Sequence, residues 1–219
     1  IPDFRGPDGV WTKNPGAERK ATIQNFVTDQ NYRIQSWQNR ILNSETPKPN
    51  RAHFALVDLE KKGKLSTLIT QNIDSLHLQA GTNIERLIEI HGTTRDFICL
   101  ECSDRGPIEE VLLRVEKGEA DPVCKKCGGI LKAATISFGQ SLNSKDIDRA
   151  NTATRECDLF IAIGTSLTVY PVAALPQIAL QSGADLIILN DGDTPYDGLA
   201  TEKIAAKIGD VLPSIVNLI

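Results

Sequence analysis

Four cysteines in two CxxC pairs, Cys99/Cys102 and Cys124/Cys127, separate a histidine step, His91-Gly92, from an apolar run that ends in Gly164-Thr165-Ser166. Two residues between paired cysteines let one tight turn aim both sulfurs at a single ion, and 21 residues (103–123) between the pairs is close to the zinc-ribbon range. Four thiolates close the coordination sphere, so such a zinc site is structural. Chemistry has to come from elsewhere in the chain.

His91 is the first candidate. It follows Ile88-Glu89-Ile90, a stretch with strand character, and precedes a glycine. An imidazole with an unperturbed pKa near 6.5 is the natural proton acceptor at neutral pH. A lone histidine is more often a structural hydrogen-bonder, and His53, within a helical pattern, and His77 are read that way. Thr70-Gln71-Asn72-Ile73-Asp74 offers amide, hydroxyl and carboxylate groups suited to a ligand rich in hydroxyls with a carboxamide, although Asn and Asp also serve ordinary turns. Gly164-Thr165-Ser166 places backbone N–H groups and hydroxyls where phosphate can meet them. Cys157 opens an apolar run and is read as a small buried hydrophobe.

Three apolar runs, Leu65 to Ile69, Leu159 to Ile163 and Leu186 to Leu189, read as buried parallel strands, each ending in small or polar residues. Ala52, Ala55, Leu56 and Leu59 recur at helical spacing. Ser144 is placed to cap a helix through Ile147 to Arg155, and Pro171 to Ala179 reads as a crossover helix. Alternating strands and helices predict a parallel sheet covered on both faces, with ligands bound beyond the carboxyl ends of its strands. Helix-like stretches around Thr22–Val27 and Tyr32–Leu42 form a helical insertion (12–50), and the cysteine segment a zinc-ribbon insertion (97–133). The remainder, 1–11, 51–96 and 134–219, forms the sheet domain. The fingerprint GxGxxG is absent.

The 219 residues suffice for one large domain with insertions, and 41% hydrophobic with 24% charged content is ordinary for a globular protein. A net charge of −4 supplies no bulk attraction for nucleic acid. No apolar run approaches the roughly 20 residues of a membrane span, and no signal peptide is visible. Cysteines in metal-type pairs point to a reducing cytosol, or a nucleus in a eukaryote.

In sequence order, Ile-Pro-Asp-Phe-Arg-Gly (1–6), Thr-Gln-Asn-Ile-Asp (70–74), His-Gly (91–92), the two CxxC pairs, Phe-Gly (138–139), Gly-Thr-Ser-Leu (164–167) and Val-Tyr-Pro (169–171) resemble the sirtuins, NAD-dependent protein deacylases, of bacterial type. The resemblance implies a Rossmann-like domain with a small zinc-ribbon and helical domain, NAD and acyl-lysine meeting in the cleft between them. It implies that His91 is the general base and that the products are free lysine, nicotinamide and O-acyl-ADP-ribose. Asn72, Ile73 and Asp74 match the nicotinamide end and Gln71 a ribose contact. Asp3, Phe4 and Arg5 match the mobile cofactor loop, with Phe4 screening the reactive ribose. Gly164, Thr165, Ser166 and Asn190 match contacts to the phosphates and adenosine. Phe138-Gly139 and Val169-Tyr170 match the segments that bracket the substrate backbone as an added strand. Zinc on Cys99, Cys102, Cys124 and Cys127 completes the set, and the partners are acyl-lysine proteins or peptides.

Two departures stand out. Sirtuins carry a strand and a Gly-Ala-Gly turn before the Ile-Pro-Asp-Phe-Arg segment, whereas here nothing precedes Ile1 and the chain has no Met, so an upstream piece is expected. The Tyr-x-x-Arg pair of succinyl- and malonyl-specific relatives is not matched, because Gln35 stands three residues after Tyr32. A preference for acidic acyl groups is therefore not expected. Mono-ADP-ribosyl transfer stands as an alternative chemistry. A zinc-ribbon interaction module or a rubredoxin-like iron carrier would leave His91 and the polar strand ends unexplained.

Overall fold

The structure, a computed structural model, describes residues 9–13, 16, 21–42 and 47–218; Asp3, Phe4 and Arg5 lie outside them. The helices are α1 (Val10–Lys13), α2 (Ile23–Thr28), α3 (Gln30–Leu42), α4 (Arg51–Lys61), α5 (Leu76–Ala80), α6 (Glu109–Glu116), α7 (Ser144–Glu156), α8 (Leu175–Gln181) and α9 (Ile208–Leu218). The strands are β1 (Leu68–Thr70), β2 (Leu87–Glu89), β3 (Gly92–Cys99), β4 (Arg105–Pro107), β5 (Leu131–Thr135), β6 (Leu159–Ile163), β7 (Asp185–Leu189) and β8 (Glu202–Ile204). They fall into two compact units: Ile1–Pro47 with Gln71–Ser75 and His91–Leu142, and Lys48–Thr70 with Leu76–Ile90 and Asn143–Ile219.

The first unit is built on an antiparallel sheet in the order β4-β3-β5, whose register shifts between Gly92 and Phe97. Trp37 from α3 packs with Phe97, Ile108, Val111, Leu131 and Ala133, and Cys99 and Cys124 sit in the same core. Thr22 caps α2 by accepting the Asn25 N–H at 3.2 Å. Arg33 ties the helices to the cysteine segment. Its guanidinium meets Asp121 at 2.8 Å, both side chains only 12% exposed, and also donates to the Phe26 and Val27 carbonyls near the end of α2. Buried Lys132 donates to the Thr135 carbonyl at 2.5 Å and lies 5.9 Å from the centre of the Phe26 ring.

The second unit carries two parallel sheets, β1-β2 and β6-β7-β8. Among the described residues, β1 and β6 each pair with a strand on one side only. Period-2 alternation sends Leu189 of β7 toward α4 and α9, where it packs with Ala52, Ala55, Leu56, Leu59, Leu212 and Val216. Leu186 and Ile188 pack on another cluster with Ala162, Leu167 and Tyr196. Asn50 and His53 form a capping box at the start of α4, so His53 is structural as expected, and its ring lies 4.7 Å from that of His77.

Four sequence readings shift. The first strand spans Leu68–Thr70 rather than Leu65 to Ile69, because the Leu65 carbonyl accepts the Arg86 side chain and pairing starts at the Leu68 N–H. The cap of α7 is Asn143, one residue before Ser144, and its side chain accepts the Lys145 N–H at 2.9 Å. The segment after Pro171 is a 3-10 turn (Val172–Ala174) running into α8. Cys157 is half-buried at the end of α7, its thiol donating to the Thr154 carbonyl at 3.3 Å.

Candidate active site and metal centre

His91 sits at the junction between β2 and β3, and its position is set by the glycine that follows. Gly92 has φ +75°, and a Cβ there would lie 2.1 Å from the Ala134 carbonyl oxygen. Only glycine lets β3 start this close to β5. The His91 carbonyl accepts the Ile136 N–H at 2.8 Å, which anchors the backbone to the residue just beyond β5. Its Nδ1 lies 3.0 Å from the Gln71 carbonyl oxygen. A carbonyl can only accept, so Nδ1 carries the proton and the lone pair is left on Nε2. Burial pushes the imidazole below its ordinary 6.5, with the Gln71 carbonyl opposing in part. At neutral pH this is an uncharged base with a fixed tautomer.

The polar loop Gln71–Asp74 belongs to the same unit. Besides the Gln71 link, the Ile73 carbonyl accepts both the Thr94 N–H at 3.0 Å and the Thr94 hydroxyl at 2.9 Å. Asn72, Ile73 and Asp74 are thus brought together with His91 on one hydrogen-bonded body. Ser75, Thr93, Thr94 and Arg95, which complete that body, were missed by sequence reasoning. The available signal was a run of hydroxyl residues directly after His91-Gly92.

In the second unit, Gly164-Thr165-Ser166 and Asn190 follow the carboxyl ends of adjacent parallel strands β6 and β7. The Gly164 N–H donates to the Leu189 carbonyl at 2.9 Å, joining the two turns. Gly164 has φ +60°, and a Cβ there would come within 2.8 Å of Ile208 Cδ1. A glycine turn that brings hydroxyls and backbone amides to a strand end suits phosphate. Asn190 holds the Gly192 carbonyl through its amide nitrogen at 2.9 Å, which orients its side-chain oxygen.

Phe138 and Gly139, in the first unit, lie within a turn closed by the Gln140 N–H on the Ser137 carbonyl at 3.0 Å. Phe138 spends both backbone groups at the start of α2, its N–H on the Ala21 carbonyl at 3.1 Å and its carbonyl on the Ile23 N–H at 3.0 Å. Its ring is exposed. Tyr170, in the second unit, is 73% exposed, and the Val169 carbonyl accepts the Ala173 N–H at 2.9 Å.

The four cysteines converge. Their sulfurs all lie within 4.8 Å of one another, with Cys99 to Cys127 at 3.5 Å and Cys102 to Cys124 at 3.7 Å. Sulfurs about 2.3 Å from a common ion at tetrahedral angles stand roughly 3.8 Å apart, so the set fits zinc. Backbone amides of Lys126 and Gly129 point at the sulfurs of Cys124 and Cys127, each at 3.4 Å, as partners for thiolates. The Cys124 N–H on the Gly129 carbonyl and the Gly128 N–H on the Cys124 carbonyl, both 2.8 Å, close the second knuckle.

A profile of the Sir2 family matches residues 1–171. The "NAD-dependent protein deacetylase 2" of Streptomyces coelicolor is 43% identical over 221 residues, covering 99% of this chain and 90% of that protein. The "NAD-dependent protein deacetylase" of Sulfolobus acidocaldarius is 44% identical over 220 residues, covering 99% of this chain and 83% of that protein. A solved structure of Sir2 with a peptide and NAD+ superposes with a TM-score of 0.85 at 32% identity, over 100% of this chain and 86% of its own. A Sir2 complex with a deacetylated peptide and 3'-O-acetyl ADP ribose gives 0.88 at 32% identity, over 100% and 87%.

Proposed function

The chain belongs to the Sir2 family, and from that membership we infer that it is an NAD-dependent protein deacetylase, releasing the acyl group of modified lysines to ADP-ribose. Bound NAD supplies an activated ribose carbon that accepts the acyl oxygen as nicotinamide departs. His91 acts as general base, its Nε2 taking the proton of a ribose hydroxyl. Gln71 orients the ribose, while Asn72, Ile73 and Asp74 hold the carboxamide of nicotinamide. Gly164, Thr165, Ser166 and Asn190 bind the phosphates and adenosine, and Asp3, Phe4 and Arg5 are assigned to the cofactor loop on their motif alone. Gly139 and Val169-Tyr170 receive the acyl-lysine peptide, with Phe138 contributing its exposed ring rather than its committed backbone.

Zinc on Cys99, Cys102, Cys124 and Cys127 stabilises the first unit and takes no part in proton transfer. No helix among the described residues is long and apolar enough to cross a membrane. A cytosolic location is read from the need of four thiolates for a reducing compartment.

The observation that carries this reading is the 3.0 Å contact between His91 Nδ1 and the Gln71 carbonyl, because it fixes the tautomer that leaves Nε2 of the buried, uncharged ring to accept a proton. Incubation with an acetyl-lysine peptide, with and without NAD, tests it by mass spectrometry. Deacetylated peptide, nicotinamide and O-acetyl-ADP-ribose in equal amounts are expected. ADP-ribose attached to the peptide, with the acetyl group retained, would contradict it.

A further inference from the structure

Strand β3 does more than follow His91. Three successive side chains at its start, Thr93, Thr94 and Arg95, hold the loop Gln71–Ser75. Thr94 donates its hydroxyl to the Ile73 carbonyl at 2.9 Å, beside its own backbone N–H on the same oxygen at 3.0 Å. Ser75 closes the loop with φ +63°, a left-handed conformation unfavourable for a residue with a Cβ. Its hydroxyl is buried and meets two polar groups, Thr93 Oγ1 at 2.9 Å and Arg95 Nε at 2.8 Å, while Thr93 Oγ1 in turn accepts the Arg95 N–H at 3.3 Å. Arg95 Nε also reaches Thr93 Oγ1 at 3.2 Å. Both Thr93 and Ser75 are at most 4% exposed. These bonds flank Asp74 at Ile73 and Ser75, and the Ile73 bonds fall directly after Asn72.

We propose that Thr94, together with the Thr93–Ser75–Arg95 cluster, forms a latch that positions Asn72 and Asp74 for the nicotinamide end of NAD. The proposal rests on the deacetylase reading above. In this proposal the latch residues are positioning residues that act through the loop. The Gln71 carbonyl that fixes the His91 tautomer lies on the same loop, so the latch holds base and nicotinamide contacts in one geometry. A strained residue persists only where its surroundings over-determine it, and here the Thr93 hydroxyl and the Arg95 guanidinium hold the Ser75 side chain.

The discriminating pair is Thr94→Val against Thr94→Ser. Valine keeps the shape and the backbone N–H but deletes the hydroxyl, whereas serine restores it. Isothermal titration of nicotinamide and of ADP-ribose, without turnover, reads the latch directly. Thr94→Val should weaken nicotinamide roughly 3- to 10-fold, as expected for one lost hydrogen bond. ADP-ribose should bind within twofold of the parent, and Thr94→Ser should restore nicotinamide affinity. In steady state the same variant should raise the KM for NAD more than it lowers kcat. Ser75→Ala, which removes the cluster's central hydroxyl, should repeat the pattern while zinc content stays at one per chain.

Nicotinamide affinity unchanged in Thr94→Val and Ser75→Ala would overturn the latch. So would an equal loss of ADP-ribose affinity, which would mark a general scaffold. Failure of the deacetylase reading appears separately, as an unsubstituted protein that does not turn over acetyl-lysine peptide with NAD, whatever the titration ratios of the variants.

Discussion

His91 and Gln71, twenty positions apart in sequence, are joined by a 3.0 Å hydrogen bond from the imidazole Nδ1 to a backbone carbonyl. That single link fixes which ring nitrogen is basic, and burial keeps the ring uncharged at neutral pH.

The folded His91 pKa lies below 6.5, so protonation sets in only at acidic pH. For a base that must be neutral, kcat/KM for the acetyl peptide should hold level from pH 7 upward and fall as pH drops through that depressed pKa. A pH–rate profile checks it. An acidic limb centred above 6.5 would contradict the burial argument.

Gly92→Ala should be far more damaging than a small substitution suggests. The left-handed φ alone costs about 1–3 kcal/mol, and the Cβ would meet the Ala134 carbonyl at 2.1 Å. Thermal denaturation should show a clear drop in Tm together with loss of activity. An unchanged Tm would mean that β3 does not begin so close to β5.

Much of the architecture was legible because its physics is local. Buried parallel strands leave continuous apolar runs, which is why Leu159–Ile163 was found with its observed bounds, and two CxxC pairs can be read from spacing alone. What escaped depends on contacts remote in sequence. Nothing near Arg33 announces Asp121, 88 residues away, and nothing near Phe138 announces that Ala21 and Ile23 take up its backbone. Thr94 and Ser75 look like ordinary polar residues until β3 is laid along the loop 71–75. The helix cap fell on Asn143 and not Ser144 because either side chain can cap, and only the observed turn selects one.

Cys124→Ser should release the metal and destabilise the first unit, since structural zinc contributes folding free energy directly. Zinc measured by atomic emission should fall from one per chain to near zero, and activity should decline in step with the folded fraction. Absence of zinc from the purified parent would contradict the four-thiolate assignment.

Buried Lys132 has no carboxylate partner among the described residues, and burial, with the nearby Arg40 charge, lowers its pKa to about 8. The unfolded chain, with an ordinary lysine near 10.4, then binds more protons between about pH 8 and 10. Stability should rise with pH across that window, by an amount on the order of 3 kcal/mol, and the full penalty should be present below pH 8. Urea denaturation of the parent and of Lys132→Met at pH 7, 8, 9 and 10 measures it. The variant should lack the Lys132 part of the slope, and parallel curves for the two proteins would show that the lysine is not desolvated.

The central claim is that His91 is the base of an NAD-dependent deacetylation, and His91→Ala tests it most directly. Net conversion of an acetyl-lysine peptide, followed by mass spectrometry at saturating NAD, should fall by about 10²- to 10⁴-fold, the usual range for losing a general base. Zinc content and Tm should match the parent, because the side chain contributes one hydrogen bond and no core packing. Turnover within a few-fold of the parent by a folded, zinc-loaded His91→Ala protein would contradict the account.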